Sequence, residues 1–275
     1  MSLITVSSAF GSGGEKIAKK ISEQLGIEFF DDSKLQERAL AIGVSSKDLE
    51  DINEKEPRLF DRLFTNKPAI YLELLGAVIH DIASDGEGVI VGHGAQAFLK
   101  DFNCALHILI YAPAETRGEW ISKEQNIDRK AALEIVNNMD KSRQEFIRYA
   151  FKRNWEEPSG YDLVINLEKI GAEWAEKLII DLAGSEEIKE CSLNALEKME
   201  LSSLNHKIEA TLIRNNLASI YSGVIVDITG RGKVHLRGHL FSKEEHGNLV
   251  KLIEGVPGVT EVTSDVAVVP SAYGY

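Results

Sequence analysis

Positive charge is scarce in this chain: 31 lysines and arginines stand against 43 aspartates and glutamates, a formal net charge of −12 at pH 7. A nonspecific nucleic-acid binder or a polybasic membrane binder needs the opposite balance, so any anion-binding site must be local. Cysteine is nearly absent. Cys104 and Cys191 are the only two, and without a Cys-x-x-Cys spacing they indicate neither a disulfide framework nor a thiolate metal site. Cys104, at the start of an apolar run, reads as a packed thiol. No apolar run approaches the ~18 residues of a spanning helix, and the N-terminus enters a strand without a basic segment or signal core. A cytoplasmic location and no membrane span are the expectation.

Among what is present, 44% of the 275 residues are hydrophobic, enough to fill the core of one large domain or two ordinary ones. The first part alternates short apolar runs with helical periodicity, which predicts an α/β fold, a parallel sheet covered on both faces. Strand cores are expected at 3–7, 27–30, 88–91, 106–111 and 163–165. A helix through Ile17, Ile21 and Leu25 stops at Gly26. Residues 33–85 and 115–155 are charged, mostly helical stretches laid on the sheet. Ser7, Asp31, Gly92 and Ala112 fall where strands end, the place ligands occupy in such sheets.

A polar stretch after residue 183 reads as a linker. The division expected is 1–183, a linker over 184–200, and a small αββαβ domain over 201–275. In the last, a helix spans 201–218, a hairpin turns at Gly230-Arg231-Gly232, a second helix covers 242–254 and a strand covers 259–269.

Chemistry concentrates in Ile4 to Ile17, which reads as a strand, a glycine-rich turn and a helix. Such a loop converges backbone N–H groups on phosphate oxygens and adds the positive end of a helix dipole. It lacks the lysine of Gly-x-x-x-x-Gly-Lys-[Ser/Thr]: in the best register Ser8, Gly13, Gly14 and Glu15 fall on the four fixed positions and three fail. From local sequence, a phosphate cradle and a merely close-packed glycine turn stand equal.

Separated segments together resemble the cytidylate-kinase-like family of P-loop proteins over about residues 3–182. They are Phe10 to Gly14, Gly26 to Asp31, Val89 to Ala95, Leu106 to Pro113 with Arg117, Met139 to Arg143, Trp155, and Tyr161 to Asn166. The resemblance implies a P-loop kinase-like parallel sheet with helices on both faces, ATP and Mg2+, and transfer to a (d)CMP-like or related small acceptor. Gly11, Ser12, Gly13, Gly14, Lys16 and His93 would then meet phosphates; Arg143, Arg117 and Asp31 would serve catalysis. Arg148 and Arg153 are further cations on the same polar stretch. Many relatives carry Phe-Gly-Ser-Gly-Gly in place of Gly-Lys, but they commonly have arginine where this chain has Ser8 and His93. Because phosphoryl transfer depends on positive charge around the transferred group, two readings follow: a kinase, or a nucleotide-binding regulator that has lost catalysis. A purely structural interaction protein is the third. Local alternatives stand beside each site residue: Asp31 as a helix cap, Asp140–Arg143 as an intrahelical ion pair, His93 as a locally bonded histidine.

Over roughly residues 204–270 the chain resembles a BON domain, through Ile208, Leu212, Val234 to Gly238, Ser242 with Glu245, and Val256 to Val262. That implies a protein partner or small ligand and a regulatory or assembly role. His235, His239 and His246 lack an acidic or cysteine ligand at metal-site spacing, so no metal is assigned.

Overall fold

The computed structural model describes residues 3–45, 68–189, 192–215, 217 and 223–269. Parts of the expected 33–85 insert, of the expected linker and of the 201–218 helix, and Cys191, lie outside these residues.

Strands β1 (Leu3–Ser8), β2 (Phe29–Phe30), β3 (Gly88–Val91), β4 (Ala105–Tyr111) and β5 (Leu163–Asn166) form one sheet in the order β2-β3-β1-β4-β5, all pairs parallel. The apolar runs are readable because both sheet faces are covered, which removes the alternation of a half-exposed strand. Leu3, Ile4 and Val6 of β1 are all buried. Helices α1 (Gly14–Leu25) and, later in the chain, Ala172–Ala183 cover one face: Ile17, Ala18 and Ile21 share a core with Ala175 and Ile179. The opposite face meets α2 (Asp32–Ala41), α3 (Pro68–Asp85) and part of the long helix Arg129–Phe151. We number Ala114–Gln125 α4, Arg129–Phe151 α5 and Ala172–Ala183 α6. β1 is central, with β3 on one side and β4 on the other, so its carboxyl end lies at the switch point where open α/β sheets bind ligands.

A second, mixed sheet holds β6 (Val224–Gly230), β7 (Lys233–Leu240) and β8 (Glu261–Val268), β7 pairing antiparallel with β6 and parallel with β8. Helices α7 (Leu193–Arg214) and α8 (Lys243–Glu254) flank it in the expected αββαβ order. Ser242 and Glu245 form a reciprocal capping box at the start of α8, which satisfies two otherwise unpaired N–H groups.

One expectation is corrected. Residues 193–200, read as linker, are the first turns of α7. Its two faces enter two cores: Leu204, Ile208 and Leu212 pack with Leu236, Leu249 and Ile253, while Leu196, Met199, Ala210 and Ile213 pack on the core that contains α3. The stripe was masked because polar residues separate Leu196, Met199 and Ile213. Cys104 is buried in the core that contains α3, as expected of a packed residue just before β4. No helix of the described residues is long and apolar enough to cross a membrane.

Where α7 meets α3, the His80 ring lies 4.9 Å from that of His206 and its Nδ1–H donates to Gly76 O at 2.8 Å. Burial pushes the His80 pKa from 6.5 down to about 4. Between these values the unfolded chain binds the proton and the folded chain does not, so stability is complete above pH 6.5 and falls as pH drops toward 4. We expect the melting temperature to decline over that window, and His80→Gln to flatten the decline in a calorimetric pH series.

Candidate phosphate-binding site

β1 delivers the chain into a loop that only glycine can follow. Gly11 and Gly13 have φ of 77° and 81°, and a Cβ on Gly11 would lie 2.5 Å from Ile121 Cδ1. Gly14 opens α1 and packs so closely on the Ser8 side chain that a Cβ would overlap it. The left-handed Gly13 is the N-cap of α1, with no side-chain cap. The positive end of α1 is thus left to an external acceptor. Ser12 is buried, with its hydroxyl 3.4 Å from Gly14 N.

A clamp holds the base of the loop. Phe10 N–H donates to Asp140 Oδ1 at 3.1 Å, while Arg117 Nη1 donates to Phe10 O at 2.8 Å and Nε to Ala112 O at 2.6 Å. Arg117 Nη2 and Asp140 Oδ2 close the circuit at 2.8 Å, both side chains largely buried. Arg117, expected beside a transferred phosphate, has its guanidinium committed to this scaffold.

Arg143 stands apart. Its charge interacts with those of Asp140 and Arg117, its guanidinium lies 5.8 Å from the centre of the Trp155 ring, and its buried Nη1 has no hydrogen-bond partner among the described residues. Asp140, three residues earlier, pairs with Arg117 instead. Burial works against the charge of Arg143, with Asp140 partly offsetting it. An arginine that cannot deprotonate and lacks a full set of acceptors is poised for an anion. Trp155 is itself fixed: Tyr161 Oη–H donates to its carbonyl at 2.6 Å. Sequence reasoning missed Trp155 and Tyr161 as supports of Arg143; an aromatic shortly after a long polar helix was the available signal.

The other cations point elsewhere. Lys16 is exposed and paired with Glu124 at 2.7 Å, an ion pair that raises its pKa. Replacing it by methionine is expected to leave the melting temperature unchanged and any turnover within about threefold, because exposed pairs contribute little. His93 follows β3 in a run of three left-handed residues, Gly92, His93 and Gly94, with φ of 73°, 54° and 70°. Such a conformation is uncommon for a residue with a side chain. It sets His93 Nε2 2.7 Å from Asp32 Oδ1, and this bond chiefly lowers the Asp32 pKa. Asp31 caps α2, its Oδ1 accepting from Lys34 N–H at 3.0 Å. Beside the Asp32–His93 pair a small open cleft with about 40 Å³ of free volume lies between α2 and α3, lined by apolar side chains including Leu35, Val44, Tyr71 and Leu74. Among the described residues no three His, Cys, Asp or Glu side chains group as a metal site.

A parallel sheet with a glycine loop and a helix start at its switch point places the loop where open α/β folds bind ligands. The profile of the cytidylate kinase-like family matches residues 3–169, and the chain belongs to that family. It is 25% identical to a cytidylate kinase of Ignicoccus hospitalis over 63% of this chain and 94% of that protein, and 28% identical to one of Pyrococcus horikoshii over 61% of this chain and 80% of that protein. A solved structure of an uncharacterized protein from Eubacterium ventriosum is similar with a TM-score of 0.52 and 25% identity, covering 66% of this chain and 97% of that one.

Proposed function

We propose that the chain transfers the terminal phosphoryl group of ATP to a (d)CMP-like or related small phosphate acceptor. The observation that carries the reading is the buried Nη1 of Arg143, unpaired next to the loop clamp. In this reading the backbone N–H groups from Gly11 to Lys16 hold the donor phosphates, and the acceptor enters the cleft between α2 and α3. An acceptor phosphate oxygen attacks the γ-phosphorus, the bond to the β-phosphate oxygen breaks, and ADP leaves. Arg143 meets the charge that spreads over the transferred oxygens. Asp31 orients the acceptor or the metal. Magnesium, when bound with the nucleotide, would supply further neutralisation of the phosphate charge. The described residues hold no group of three metal-ligating side chains, so in this reading the nucleotide would contribute most of the metal's ligands.

The division into residues 1–183 and a BON-like unit over 201–275 belongs to the same proposal, now with α7 shared between the two. Steady-state ADP formation from ATP with CMP, dCMP and UMP tests the activity. Turnover well above a Gly14→Asp control is expected with at least one of them; equal rates with all three would sink the reading.

A second reading, a nucleotide-binding regulator with impaired catalysis acting through the BON-like unit, draws on one observation: Lys16 and His93 are both paired with carboxylates. Calorimetric binding of ATP without ADP production would favour it.

A further inference from the structure

We infer that the C-terminal unit braces the acceptor cleft, so that the contacts of Gly76 with His206 and of Gly43 with Pro257 position both of its walls. The inference rests on the assignment of that cleft to the acceptor. Its two walls are α2 with the turn after it, and α3. α3 lies against α7: the buried hydroxyl of Ser203 donates to Ala77 O at 2.8 Å, and His206 Nδ1 lies 2.6 Å from Glu73 Oε2. The two backbones approach so closely that a Cβ on Gly76 would meet the His206 ring at 2.8–2.9 Å. Tyr71, Leu74, Leu75 and Val78, which line the cleft, belong to the same helix as Glu73, Gly76 and Ala77.

The other wall is held independently. Gly43 has φ of 90° and lies against Pro257 of the C-terminal unit, where a Cβ would come within 2.6 Å of the proline Cβ. Its neighbour Val44 lines the cleft. Meanwhile Leu204, Ile208 and Leu212 anchor α7 in the second core together with Val256, so both braces descend from one packed body. Close-packed interiors transmit displacement rather than absorb it. A shift of α7 or of the turn at Pro257 therefore reaches the two cleft walls directly, whereas the phosphate loop is held by its own hydrogen-bonded clamp from α4 and α5.

Calorimetric titration of the full chain with CMP and, separately, with a non-hydrolysable ATP analogue tests this. Gly76→Ala is expected to weaken CMP binding about tenfold while the analogue stays within about twofold, and adding His206→Ala should restore CMP affinity by removing the ring the new methyl meets. If Gly76→Ala does not fold, Gly43→Ala makes the same test from the opposite wall, with the same split expected. A wild-type chain that binds CMP, and variants that bind it equally well, would overturn the brace alone. A wild-type chain that binds the analogue but no monophosphate overturns the acceptor assignment, and this inference with it.

Discussion

Replacing Arg143 by methionine is expected to lower turnover by two to three powers of ten while leaving the melting temperature unchanged or slightly higher. The two effects have one cause. In the folded chain Arg143 is a half-buried cation whose buried Nη1 lacks a hydrogen-bond partner among the described residues, and desolvation opposes its charge. Exchanging an incompletely compensated buried charge for an apolar side chain of similar length is commonly neutral or stabilising. In the proposed reaction the same charge would face oxygens that become more negative in the transition state, where one well-placed group in a dry site is worth about 2–4 kcal/mol. Arg143→Lys should recover little, since an ammonium cannot stack on Trp155 and reach two oxygens as a planar guanidinium does. A structural role alone would show the reverse pattern, with stability falling and the activity of the folded fraction preserved.

Arg117→Ala should give that reverse pattern. Three separate connections end on this guanidinium: Phe10 O, Ala112 O and the Asp140 carboxylate. Its removal strands a largely buried carboxylate and two carbonyls, and breaking one side of such a pair costs about 3–5 kcal/mol. For a chain of this size that amounts to a fall of roughly 10 °C in melting temperature, measurable by scanning calorimetry. Asp140 still accepts from Phe10 N–H, so the loop keeps one anchor and the folded fraction should retain its nucleotide affinity. Arg117→Ala combined with Asp140→Asn should be less destabilising than the sum of the single changes, since the stranded charge is gone.

These two arginines were equivalent in sequence: both lie on charged helical stretches beyond the fourth strand. What separates them is which one Asp140 reaches, and a spacing of three on one helix pointed to Arg143 as much as to any distant partner. The partners decide the matter, and which acceptors reach which guanidinium is set by tertiary packing. The sheet was legible for the opposite reason. Strands covered on both faces are continuous apolar runs, and β1, β3 and β4 stand out from the polar helices around them. The capping box of Ser242 and Glu245 went unread although it is a local signal, since the two residues entered only as part of the BON-domain resemblance. The first turns of helix α7, residues 193–200, were not legible, since its two apolar faces serve two different cores and cancel any single stripe. The loop occupies the middle ground: its glycines were visible, but its competence for phosphate depends on how Phe10 and α1 are held.

The central claim is that this chain moves a phosphoryl group to a monophosphate and does so through Arg143. Incubating γ-radiolabelled ATP, magnesium and CMP with the wild-type chain and with Arg143→Met, then separating the nucleotides, tests it most directly. The account predicts label in CDP with the wild-type chain and at least a hundredfold less with the variant at equal folded protein. Label that remains in ATP, passes to inorganic phosphate, or reaches CDP equally with both proteins would contradict it.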